Sequence, residues 1–144
     1  MTSLKSIELS IGGITTKVGP FIACMSLNDI VISDSVTSIG WGTFGFCTNL
    51  TSVIIPDSVI SIGDGAFSYC RGLTNVIIGN GVISIGDGAF SYCSGLTSVT
   101  IPDSVTSIGA YAFSNCTNLT SIIMSGKTTS EVESMDNYSW GASS

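Results

Sequence analysis

Residues 50–72 read LTSVIIPDSVISIGDGAFSYCRG, residues 73–95 read LTNVIIGNGVISIGDGAFSYCSG, and residues 96–118 read LTSVTIPDSVTSIGAYAFSNCTN. The first two rows differ at five of 23 positions, and the first and third at seven. Working outward, the same register starts rows at Leu4, Leu27, Leu50, Leu73, Leu96 and Leu119. Phe returns at 21, 44, 67, 90 and 113, and Cys at 24, 47, 70, 93 and 116. Val holds 36, 59, 82 and 105, and an Ile-Gly pair begins at 39, 62, 85 and 108. A side chain repeated at one phase in every row marks coils stacked along an axis.

A single coil of this kind cannot fold alone. Each fully buried apolar side chain contributes about 1.5–3 kcal/mol, while ordering the backbone costs roughly 1–2 kcal/mol per residue. Stacking shifts that balance, because both flat sides of each coil are then buried against neighbours. Within a coil, Leu50–Ile55 reads as a strand with Val53 and Ile55 inward on the two-residue period. Pro56-Asp57-Ser58 reads as a turn, and Val59–Ile62 as a second short extended piece ended by Gly63. Asp64–Cys70 is too short for a free helix and reads as one helical or 3₁₀ turn, with Ala66, Phe67 and Cys70 on its inner face.

Composition removes several functions. The 144 residues are 44% hydrophobic and 10% charged, which excludes disorder. Four Lys+Arg against ten Asp+Glu give a net charge of −6, so no nucleic-acid partner is expected. There is no His, hence no imidazole base or ligand. The apolar runs are too short and too interrupted for membrane insertion. Met1–Lys5 lacks the apolar stretch of a secretory signal, so the expectation is a soluble intracellular protein or a fragment of a longer exported one. Localisation stays open between these.

The string LTSVTIPDSVTSIGAYAFSNCTNLTSI, residues 96–122, resembles the consensus of the BspA-like leucine-rich repeats, the 23-residue class with an IG..AF..C..L..I.IP signature. The resemblance is dense over 27–124 and looser over 4–26, and the tail resembles the closing V…Y…W segment. It implies a right-handed solenoid: a coil stack with a parallel sheet on one face and turns or short second strands elsewhere. It also implies surface proteins of bacteria and protozoa, some implicated in adhesion to host proteins and in coaggregation. The Asn column of commoner leucine-rich repeats is absent; Ser58, Gly81 and Ser104 stand near that turn.

The expected organisation is one β-rich repeat domain over 1–144. Residues 4–26 form a degenerate first coil, and 27–49, 50–72, 73–95 and 96–118 form regular coils. The last strand and a C-terminal cap take 119–144, with Ser130-Glu131-Val132-Glu133 as a capping box for a short helix.

Cysteines one coil apart are about 5 Å from each other, within disulfide reach. Five is odd, however, and the column is co-facial with Phe, so the preferred reading is buried reduced thiols packing as small hydrophobes. No C-x-x-C occurs, and no metal is expected. Asp34, Asp57 and Asp103 share a phase, as do Asp64 and Asp87; calcium between turns is one reading, and a turn residue with a solvated carboxylate is preferred. Sequons at Asn49, Asn115, Asn118 and Asn137 carry little weight outside a eukaryotic secreted setting.

The strand's outward columns are Asp29, Ser52, Asn75, Ser98, Ser121 and Val31, Ile54, Ile77, Thr100, Ile123. They read either as plain β-propensity or as a contact surface. Ile60 and Ile83, beside Thr37 and Thr106, offer a second row, and Thr51, Thr74, Thr97 and Thr120 an ice-binding one. No catalytic residue and no cofactor are expected. The expected function is a non-catalytic protein-binding or adhesion-type module, with Val31, Ile54, Ile77, Thr100, Ile123, Ser52, Asn75 and Ser98 as partner-binding residues. The alternative is a self-assembling structural solenoid. The partner is accordingly a protein, at a host or cell surface by the resemblance, or a second copy.

Overall fold

Each 23-residue row closes into one turn of a parallel β-solenoid. A computed structural model describes residues 6–9, 29–32, 34 and 36–127, with backbone only at 6–9, 29 and 31. The long strands are β1 (Ser6–Leu9), β2 (Asp29–Ile32), β4 (Ser52–Ile55), β6 (Asn75–Ile78), β8 (Ser98–Ile101) and β10 (Ser121–Met124). Between them fall two-residue strands: β3 (Ser38–Ile39), β5 (Ser61–Ile62), β7 (Ser84–Ile85) and β9 (Ser107–Ile108). All pairs are parallel and set one row apart, as Val53↔Val76, Ile62↔Ile85 and Val99↔Ile122 show. The expected side chains of the first coil, Cys24 and the C-terminal cap lie outside the described residues.

The core is the set of repeated columns. Phe44, Phe67, Phe90 and Phe113 are fully buried and stack at 5.3, 5.3 and 5.5 Å between ring centroids. Val53, Ile55, Val59, Ile62, Ala66, Cys70 and Leu73 complete one layer, and the same columns repeat above and below it. The solenoid therefore buries like against like.

The short strands run continuously as β3-β5-β7-β9, whereas the long ones pair two by two: β1-β2, β4-β6 and β8-β10. Proline accounts for one missing bond at each break. The Ser125 N–H donates to Ile101 O at 2.9 Å. One and three rows earlier that place is held by Pro102 and Pro56, which have no N–H to give the preceding coil.

The segment read as a helical turn is a run of turns instead, and no helix occurs among the described residues. Alternate amides serve two purposes there. Ala66 and Ser68 donate back within the coil to Gly63 and Gly65, while Gly65, Phe67 and Tyr69 donate to Asp87, Ala89 and Ser91 of the next coil, at 2.7–2.9 Å. Reaching both targets needs left-handed backbone at two places per coil. The first is Gly42, Gly65 and Gly88 at φ 61–62°, then Tyr111 at 59°. The second is Phe46, Tyr69, Tyr92 and Asn115 at φ 59–61°. The strain of a bulky L-residue in that region is offset by the bonds to the next coil, and those bonds hold the segment out of a regular α-helix.

Candidate interaction surface

The strand period places the proposed contact residues outside. In β4, β6 and β8 exposed and buried residues alternate strictly, so Ser52, Asn75 and Ser98 face solvent with Ile54, Ile77 and Thr100. Ile54 is 63%, Ile77 51% and Ile123 53% exposed, against 0–7% for the inward Val and Ile of β4, β6 and β8. Val31 sits in β2 paired with Glu8, but its side chain is not among those described. The result is a neutral row of β-branched side chains, one per coil, flanked by a row of small polar ones.

Two shallow depressions flank Ile77. One, of about 310 Å³, lies between the unpaired β6 and β8, lined by Asn75, Ile77, Ser98 and Thr100 and closed below by Pro102. The other, of about 700 Å³, runs past the ends of β4 and β6 between Asp34, Ile54, Asp57, Ile77 and Asn80. The proline-linked break in the sheet thus shapes the relief of the exposed face. Ile60 and Ile83 also point outward beside Thr37 and Thr106, forming a second apolar row.

The Thr column is engaged with its own backbone. Thr74 Oγ1 donates to Thr51 O at 3.1 Å and Thr120 Oγ1 to Thr97 O at 3.2 Å. The Asp columns bridge coils. Asp57 Oδ1 accepts the Asn80 N–H, Asp64 Oδ1 that of Asp87, and Asp87 Oδ1 that of Ala110, at 2.8, 2.8 and 2.9 Å. Each carboxylate thereby fastens the next coil's turn. Among the described residues no three His, Cys, Asp or Glu side chains are grouped to hold a metal ion.

Cys47, Cys70, Cys93 and Cys116 are buried in one column, and Cys70, Cys93 and Cys116 are free thiols. Each of the last three donates its S–H to the carbonyl of a Phe one coil back, as Cys70 does to Phe44 O at 3.1 Å. Burial pushes Cys70 and Cys93 well above the ordinary thiol range, and Cys116 up to about 11. Little thiolate, and so little nucleophile, exists at these three positions.

Sequence reading missed an aromatic column on the turn side, with Phe46 and Tyr92 exposed and Tyr69 half-buried between them. Phe46 stacks on Tyr69 at 4.5 Å and Tyr69 on Tyr92 at 4.3 Å, each pair tilted by 6°. The Arg71 guanidinium lies 5.6 Å from the Tyr69 ring. The signal was an aromatic residue immediately before Cys in three consecutive rows.

A 23-residue coil repeated with this layering is shared with known proteins. A family model described as "BspA type Leucine rich repeat region (6 copies)" matches residues 15–142. The chain belongs to the BspA-type leucine-rich repeat family. Among solved structures this repeat protein is similar to a leucine-rich repeat protein of T. pallidum, at 26% identity and TM-score 0.76, over 84% of this chain and 70% of that one. A leucine-rich repeat protein from Bacteroides capillosus is 40% identical, with TM-score 0.58, over 63% of this chain and 64% of the other. The pneumococcal vaccine antigen PcpA matches 84% of this chain at 25% identity and TM-score 0.65, and the matched part is 30% of that antigen. No curated protein matches the chain. No described helix is long and apolar enough to cross a membrane.

Proposed function

We propose that this BspA-type repeat protein is a non-catalytic binding module that engages a protein partner through the outer face of its long strands. The reading is carried by the exposed Ile54–Ile77 pair, aligned with Ile123, on strands whose opposite side already supplies the core. Adjoining exposed apolar side chains on a strand face, as Ile54 and Ile77 are, fit a recognition site. Val31, Thr100, Ser52, Asn75 and Ser98 extend the surface, and the depressions beside Ile77 give it shape. The complete lack of His and the thiols' protonation leave acid–base and nucleophilic chemistry without its usual residues.

The test is Ile54→Glu with Ile77→Glu. Circular dichroism of the double variant should match the parent, because both side chains are outside the core, while capture of a protein partner should disappear. Unchanged capture by a folded variant would remove the proposal. Self-association is the second reading, favoured by the two exposed apolar rows, Ile54 with Ile77 and Ile60 with Ile83, which a second copy would cover. Light scattering that stays at monomer mass with rising concentration would exclude it.

A further inference from the structure

The aromatic column of the turn side carries chemistry that the sheet face lacks. Tyr69 and Tyr92 are phenols one coil apart, their ring centroids 4.3 Å from each other and their planes tilted by 6°. Their backbones are pinned, since Tyr69 N–H donates to Ser91 O at 2.8 Å and Tyr92 N–H to Ser114 O at 2.7 Å. Phe46 covers the far side of Tyr69 at 4.5 Å, while Tyr92 is exposed. The rings are therefore held face to face within reach of a dissolved oxidant.

We propose that Tyr69 and Tyr92 form an oxidative cross-linking site, joined on one-electron oxidation by a carbon–carbon bond ortho to both hydroxyls. Each phenol gives up one electron and one proton and becomes a phenoxyl radical. The two radicals pair to make the bond, and the hydrogen on each newly bonded ring carbon moves to oxygen as the rings regain aromaticity. A haem peroxidase with hydrogen peroxide is the oxidant; the peroxide takes the two electrons and two protons and leaves as two waters. Held groups react as an intramolecular pair, which favours coupling here over encounter between molecules. Phe46 has no hydroxyl to oxidise, Asn115 takes the next place in the column, and Tyr111 lies in a different column. Cys47, Cys70, Cys93 and Cys116 are sealed in the core and do not compete. The product is a covalent staple between successive coils, restricting the unfolded chain as any internal cross-link does.

Trypsin reads the result directly. Tyr69 is the sole tyrosine between Lys17 and Arg71, and Tyr92 lies beyond Arg71. The full chain is treated with peroxidase and hydrogen peroxide, the monomer is isolated, and its tryptic peptides are weighed by mass spectrometry. Peptides 18–71 and 72–127 are expected as one species lacking two hydrogens. The species should vanish in Tyr69→Phe and Tyr92→Phe, persist in Tyr111→Phe, and fall sharply when oxidation is run in urea. Separate peptides under conditions that couple N-acetyltyrosine in the same tube would overturn the proposal. So would a joined species that survives Tyr92→Phe or occurs only in dimers.

Discussion

Replacing Phe67 by Ala tests the stacked core most directly. The ring is fully buried between Phe44 and Phe90, 5.3 Å from each. Truncating a buried Phe to Ala costs about 3–5 kcal/mol, and more where the surroundings cannot close over the cavity. Here they cannot. Phe44 N–H is tied to Ala66 O at 2.8 Å and Phe67 N–H to Ala89 O at 2.7 Å, so coil spacing is set by backbone bonds. The expected loss is therefore about 4–5 kcal/mol, a large share of the roughly 5–15 kcal/mol that holds an ordinary domain folded. Phe113→Ala, with one described ring neighbour at 5.5 Å, should cost less by about one ring pair, ~1 kcal/mol. Urea unfolding followed by circular dichroism and by tryptophan emission gives both values from the shift in midpoint at constant slope. A Phe67→Ala loss below ~2 kcal/mol, or equal losses at both positions, would show that the rings do not stack as load-sharing layers.

The buried thiols make stability fall in alkali. The folded pKa values of Cys70, Cys93 and Cys116 lie above the ordinary 9.0, with Cys116 at about 11. The stabilisation is thus complete below pH 9 and declines as pH rises beyond it, the Cys116 share being lost by about pH 11, because the unfolded chain releases these protons first. Urea midpoints from pH 8 to 11 should show this decline, with a shallower slope in Cys116→Ala; a flat profile would contradict it. Gly63→Ala should destabilise by roughly 1–3 kcal/mol, since its new Cβ would sit 2.8 Å from Gly40 C and 2.9 Å from Ile39 O of the preceding coil. Thermal melting of that variant at wild-type temperature would mean that the coils have room to spare.

The inward and outward faces were legible residue by residue. Val53 and Ile55 against Ser52 and Ile54 follow from the two-residue period, and the Phe and Cys columns follow from the 23-residue one. The second apolar row was harder to read, because Val59 and Ile62 are three apart and leave the direction of Ile60 undetermined. The Asp columns were legible as turn formers, yet their bond to the next coil's amide spans 23 residues and no local rule reports it. The turns at 64–70 carried a helix-like inner face in Ala66, Phe67 and Cys70. Their amides nonetheless bond outward to the adjacent coil, a choice made only once that coil is present.

The amino-acid order alone determined the coil length, the register and the inventory of the core, because a side chain repeated every 23 residues can be buried only against its own copies. The tertiary structure decided where the long strands pair and where they part at Pro56 and Pro102, and it gave the aspartates their bridging role. It also put Phe46, Tyr69 and Tyr92 in a ring stack on left-handed backbone. These depend on which backbone groups of one coil meet those of the next, and that geometry exists only after stacking.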